Sequence, residues 1–281
     1  MQRREFQGGT GLTIAADVVG PEDGAPVVLM HGGGQTRHSW RNGQNALAAK
    51  GYRVTSMDSR GHGESGWDPQ GDYSLDAQVA DLVNVLAQLP PKPALVGASM
   101  GGITAMAAVG EHRVDARALV LVDVTPKIDA AGGRRIGEFM SARPEGFESL
   151  EEVADAVAAY NPHRPRPKDI SGLRRNLREV DGRLFWHWDP KFMGPMRLDP
   201  GGYQTRLEAA ASRITIPTLL VRGNQSDIVG EAEVAHFRAL VPTAAYVDVL
   251  GAGHMVAGDR NDAFNSAIVS FLAAVDMEVA A

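Results

Sequence analysis

The sequence predicts an α/β fold built on a mostly parallel, doubly wound sheet. Three observations carry this. Short, continuous apolar runs recur along the chain, as in PVVLM at 26–30 and ALVLVDV at 118–124; such runs suit parallel strands covered on both faces. Segments with helical periodicity lie between them. At LVGASMGG, residues 95–102, an apolar run passes through a glycine-flanked serine into an alanine-rich run. That is the mark of a sharp strand-to-helix turn.

The elements follow in order. Residues 4–7 and 12–19, separated by Gly8, Gly9 and Gly11, predict an N-terminal antiparallel hairpin. Strands are then expected at 26–30, 53–57, 94–96, 118–124, 218–221 and 246–250. Ser74 is placed to cap a helix whose Leu75, Val79, Leu82, Val83, Leu86 and Leu89 share one face. Pro90 and Pro91 end it. Two further helices are expected at 231–240 and 262–275.

The alternation breaks between 127 and 212, a stretch rich in Arg, Glu and Pro. Helical patterns fall at 150–160 and 173–180, a stiff HRPRP loop at 163–167, and FWHW at 185–188. The expected organisation is a core of residues 1–126 and 213–281 with a helical cap at 127–212. Phe185, Trp186 and Trp188 are expected to face a substrate, because pocket linings are mostly apolar and aromatic; the alternative is a helical excursion packed on the sheet.

Composition narrows the function. With 281 residues, 44% apolar and 22% charged, the chain fits a soluble globular protein of one or two domains. It has no cysteine, which removes disulfides, thiol nucleophiles and thiolate metal sites. A net charge of −6 disfavours a nucleic-acid partner. The one basic cluster (Arg164, Arg166, Lys168, Arg174, Arg175 and Arg178) reads as a solvated surface. Residues 93–110 carry no charge, but their glycines and Ser99 fit a buried strand and helix better than a membrane span. The basic N-terminus has no apolar stretch behind it, so no signal peptide and a cytoplasmic location are expected.

The chemistry centres on Ser99, flanked by Gly97 and Gly101 as G-x-S-x-G. The turn lifts the hydroxyl to the carboxyl end of the sheet and to a helix N-terminus, where negative charge is favoured. A serine hydroxyl needs a base, and His254 in GAGHMV follows the last strand at that same end. The base needs an acid to hold its tautomer. Asp227, in RGNQSD after the strand TLLV, is the expected acid; Asp123, ending ALVLVDV, is the alternative, and Asp259 reads as a loop or cap residue. His112, His163, His187 and His236 read as surface residues and His62 as a structural turn residue. The backbone N–H groups of Gly33, in HGGG, and Met100 are the expected oxyanion donors. No metal site and no cofactor are expected.

HGGGQTRHSW, DSRGHGESGW, VGASMGG, RGNQSD and GAGHM stand in the order and spacing of the α/β-hydrolase family, which the chain resembles over nearly its whole length. It is similar to the cap-bearing branch of esterases, cofactor-free haloperoxidase or perhydrolase-type enzymes and carbon–carbon bond hydrolases. Ser99 departs from the elbow aspartate of epoxide hydrolases and haloalkane dehalogenases, and the GDSAG elbow of the hormone-sensitive-lipase branch is absent. The resemblance implies the triad Ser99, Asp227 and His254, a cap between the sixth and seventh core strands, and Trp40 packed near the oxyanion loop beside the substrate. It implies a serine hydrolase acting on a small-molecule acyl substrate, a carboxylic ester or a related compound. Carbon–carbon hydrolysis, a perhydrolase-type reaction and a non-catalytic ligand-binding homologue are the alternatives.

Overall fold

A computed structural model describes residues 1–160, 166, 168–194, 200–254 and 261–280. Eight strands form one sheet: β1 (Gln2–Gln7), β2 (Thr13–Val19), β3 (Pro26–Met30), β4 (Arg53–Met57), β5 (Ala94–Ala98), β6 (Ala118–Val122), β9 (Thr218–Gly223) and β10 (Ala245–Val249). Their spatial order is β1-β2-β4-β3-β5-β6-β9-β10. The pairs β1–β2 and β2–β4 are antiparallel, and the rest are parallel. The expected strands are all present, and the predicted N-terminal hairpin is β1–β2.

Side-chain alternation assigns the two faces. In β6, Leu119 and Leu121 enter one apolar layer with α2 (Leu75–Leu86), α3 (Met100–Gly110) and α7 (Glu231–Leu240), while Ala118, Val120 and Val122 enter the other. That second layer takes Leu47 of α1 (Arg41–Ala48) and Phe264, Ile268, Leu272 and Val275 of α8 (Asn261–Ala280). Ser74 Oγ accepts the Ala77 N–H at 3.3 Å, as expected of the cap on α2. The uncharged stretch at 93–110 is β5 followed by α3, both almost wholly buried. Among the described residues no helix is long and apolar enough to cross a membrane.

Between β6 and β9, the sixth and seventh strands of this sheet in chain order, lies the inserted segment. It carries α4 (Ala130–Ser141), α5 (Leu150–Tyr160), a two-stranded sheet of β7 (Leu177–Val180) and β8 (Arg183–Trp186), and α6 (Pro200–Ala211). The helix expected at 173–180 is instead a 3-10 turn at Ser171–Asn176 running into β7. The reason is the hairpin turn Asp181-Gly182, with φ of 49° and 76°. Both values lie in the left-handed region that two-residue hairpin loops need and Asp-Gly supplies. The FWHW motif therefore begins in a strand. Leu207 and Ala211 of α6 join the layer that holds α3. The expectations on His163, Arg164 and Asp259 lie outside the described residues.

Candidate active site

Ser99 sits between β5 and α3 with φ +46° and ψ −114°. This is a left-handed conformation that a residue with a side chain adopts only under strain, at a cost of about 1–3 kcal/mol. The glycines around it are required by contact. A Cβ on Gly97 would stand 2.5 Å from the Gly101 backbone, and one on Gly101 2.6 Å from Met30. The Ser99 N–H donates to Val122 O at 3.1 Å, tying the turn to the end of β6.

That register sets which carboxylate lies beside the serine turn. Ala98 of β5 pairs with Val122 of β6, so Ser99 and Asp123 leave neighbouring strand ends, which lie ~4.8 Å apart in a sheet. Asp123 is also in the left-handed region, at φ +49°. Its side chain is 1% exposed, and Oδ2 lies 2.8 Å from His254 Nδ1. The Gly223 N–H donates to Oδ1 at 3.1 Å and the Ser226 hydroxyl to Oδ2 at 2.7 Å. The Ser226 oxygen itself accepts the Ile228 and Val229 amides, which directs its proton at Asp123. Donation by His254 Nδ1–H leaves the lone pair on Nε2, the tautomer a general base needs.

Asp227, the expected acid, does not face His254; the carboxylate there is Asp123, the alternative. Asp227 is ion-paired with Arg135 of α4, and a Cβ on Gly132 of α4 would collide with its backbone oxygen. With Ser226 turned toward Asp123, the next residue in the loop faces α4. Loop packing also places His254. A Cβ on Gly223 would stand 2.5 Å from the Ala252 and Gly253 oxygens, so glycine there lets the histidine loop lie against the end of β9.

The HGGG loop lies against the serine turn. The Gly101 N–H donates to His31 O at 3.2 Å, and a Cβ on Gly32 would be 3.3 Å from Ser99 Cβ. Gln35 N–H closes a turn on Gly32 O at 3.1 Å, with Gly34 at φ +73°, the pattern of a type II turn. The peptide between Gly32 and Gly33 also has its carbonyl bound by His31 Nδ1 at 2.8 Å. A trans peptide holds N–H and C=O on opposite sides, so this bond directs Gly33 N–H away from His31. The N–H of Met100 belongs to the first turn of α3, where amides have no intrahelical partner.

Of the expected apolar wall, part is here. Trp188 packs with Tyr73, Met100, Met140 and Phe192, and Trp186 lies against this cluster. Trp186 and Trp188 stack at 5.0 Å. A Cβ on Gly34 would be 3.3 Å from Trp188, and one on Gly33 3.4 Å from Met140, so the cluster covers the HGGG loop. Phe185 is not in it; it pairs across the hairpin with Arg178, whose guanidinium is 4.9 Å from its ring. Trp40 is also elsewhere: it is 2% exposed in the core layer, against Phe264. His187, read as a surface residue, is 6% exposed, and burial lowers its pKa to about 4. His62 is a buried turn residue, as expected. Among the described residues no group of three or more His, Asp or Glu converges as metal ligands do.

The model of the alpha/beta hydrolase fold family matches residues 25–260. The chain belongs to that family. It is 30% identical to a mouse sn-1-specific diacylglycerol lipase, over 88% of this chain and 80% of the lipase. It is 32% identical to an esterase of Mycobacterium tuberculosis, over 83% of this chain and 78% of the esterase. A solved structure of a Mycobacterium tuberculosis esterase superposes with a TM-score of 0.74 at 29% identity, covering 96% of this chain and 91% of that one. The structure of E-2-(acetamidomethylene)succinate hydrolase gives a TM-score of 0.83 at 24% identity, covering 96% and 98%; this likeness is one of fold. The protein is an enzyme of the α/β-hydrolase family, with hydrolase activity.

Proposed function

We propose that this α/β-hydrolase cleaves carboxylic esters or closely related acyl compounds through Ser99, His254 and Asp123. The observation that carries the reading is the 2.8 Å bond from His254 to Asp123, at strand ends in register with the strained Ser99. Ser99 Oγ attacks the acyl carbonyl while His254 Nε2 takes its proton. Asp123, which accepts from three donors, keeps the imidazole in its tautomer and stabilises the imidazolium. The N–H groups of Gly33 and Met100 receive the oxyanion. His254 then protonates the leaving alcohol, and in the second half it activates water against the acyl-enzyme. The helix N-terminus behind Ser99 favours the negative charge that develops there.

The inserted segment is read as a cap. Trp186, Trp188, Met140 and Phe192 supply apolar area over the HGGG loop and suit an acyl chain while excluding water. The relatives' names, a diacylglycerol lipase and an esterase, support acyl-ester cleavage. The test is turnover of chromogenic esters of graded chain length, with a fluorophosphonate probe. Labelling at Ser99, lost in Ser99→Ala together with turnover, is expected. Labelling at another residue overturns the assignment.

A further inference from the structure

Within the type II turn at Gly32–Gln35, Gln35 ties both groups of Gly32, its N–H donating to Gly32 O at 3.1 Å and its side-chain oxygen accepting the Gly32 N–H at 3.1 Å. Gly33 and Gly34 have no side chains and the widest backbone freedom of any residue, yet an oxyanion donor has to be aimed before the reaction begins. Three imidazoles add a hold from outside the turn, one on each of three successive peptide groups. His31 Nδ1–H donates to Gly32 O at 2.8 Å. His62 Nε2 accepts the Gly34 N–H at 3.1 Å. His187 Nε2 meets Gly34 O at 3.2 Å. The rings adjoin in a row, at 5.3 Å from His31 to His62 and 5.7 Å from His62 to His187.

His31 and His62 come from the core, next to β3 and β4. His187 comes from the inserted segment. Its other nitrogen, Nδ1, accepts the Gly63 N–H at 2.9 Å, so Nε2 carries the proton and donates to Gly34. Two residues on, Asp189 completes the seat: its N–H donates to Gly61 O at 2.8 Å, and its carboxylate Oδ2 accepts the Tyr73 hydroxyl.

We propose that His187 is a positioning residue for the oxyanion site, so that Gly33 N–H is aimed only when the β8 end of the inserted segment is docked on the HGGG loop. The path is two peptides long. His187 holds the carbonyl of the Gly34–Gln35 peptide. The N–H of that same peptide holds Gly32 O. Gly32 O is the carbonyl of the peptide whose N–H is the Gly33 donor. Burial keeps His187 neutral well below neutral pH, which preserves one donor and one acceptor on the ring. The proposal rests on the ester-hydrolase reading, and it adds that the segment forming the acyl wall also completes the catalytic electrostatics.

The experiment compares His187→Asn with His187→Gln on a small acetate ester, which hardly uses the acyl wall. The asparagine amide matches the Nδ1 side, keeping a partner for Gly63 but falling short of Gly34. The glutamine amide nitrogen reaches the Nε2 position. Loss of an oxyanion donor costs about 10²–10³ in kcat, and a misaimed donor costs part of that. His187→Asn is expected to lower kcat about tenfold with KM within about twofold. Binding of a trifluoromethyl ketone inhibitor should weaken in step with kcat/KM, since such an analogue makes the same oxyanion contacts as the transition state. His187→Gln should recover to within about threefold of wild type. Equal losses in both variants, no loss in either, or a loss confined to KM overturns the proposal. Should His187→Asn not fold, His187→Gln decides alone: near-wild-type kcat upholds it, and a tenfold loss at unchanged KM overturns it. Failure of the underlying reading looks different, since the wild-type protein itself would then show neither ester turnover nor labelling at Ser99.

Discussion

Acidification tests the histidine row through stability, independently of any substrate. In the unfolded chain His187 titrates at its ordinary value of about 6.5. In the folded protein burial is the largest influence and lowers it to about 4, the bond to Gly34 opposing only in part. Between those values the unfolded chain holds a proton that the folded chain refuses. Stability therefore rises with pH across this window: the contribution is complete above about 6.5 and is lost as the pH falls toward 4. Each pH unit of difference is worth about 1.4 kcal/mol, so the full loss is about 3 kcal/mol, of which about 2.5 kcal/mol is reached by pH 4.5. His31, wholly buried, is lowered in the same direction and adds to the slope in any variant that keeps it. The assay is urea unfolding of wild type and His187→Gln at intervals from pH 7.5 to 4.5. The gap between their unfolding free energies should shift by about 2.5 kcal/mol in favour of the glutamine variant as the pH falls. Parallel curves would refute the reasoning, because they would mean that His187 takes up its proton as readily in the folded protein as in the unfolded chain.

Asp123→Asn should lower kcat by about 10³–10⁴, as a wrong imidazole tautomer does, while Asp227→Asn should stay within about threefold on short esters; steady-state kinetics of both checks the assignment of the acid. The amide cannot serve at 123 in either orientation, since Oδ1 and Oδ2 both receive donors. Gly101→Ala should destabilise the fold by several kcal/mol, because its Cβ would overlap Met30 at 2.6 Å beneath the serine turn; thermal unfolding measures it. Trp188→Ala should raise KM for longer acyl chains more than for acetate, while Phe185→Ala, beside Arg178 rather than the HGGG loop, should leave that preference unchanged; a chain-length profile separates them.

Much of this was readable from neighbouring residues alone. The apolar runs at β3, β5, β6 and β9 announced a buried parallel sheet, and the glycines around Ser99 announced the turn, because chain stereochemistry and periodicity are local properties. The hairpin of β7 and β8 was readable too. Its Asp181-Gly182 signal stood in the sequence, and the leucine and arginine content around 173–180 masked it by imitating a helix. The acid was different in kind. Asp123 and Asp227 both follow a strand, and both lie between Ser99 and His254, so order along the chain admits either. What places a carboxylate against His254 is the pairing of Ala98 with Val122 and the inward turn of Ser226, which donates to Asp123, while Asp227 pairs with Arg135. His187 makes the same point: its residue type and surroundings in FWHW read as surface, and only the docking of β8 on the HGGG loop gives both ring nitrogens a backbone partner. Local pattern alone is enough for the fold, the turn at Ser99 and a histidine at the same end of the sheet. Which polar groups meet was decided by tertiary structure, because a hydrogen bond depends on distance and direction in space, and residues separated by more than a hundred positions acquire those only when the sheet and its inserted segment have packed.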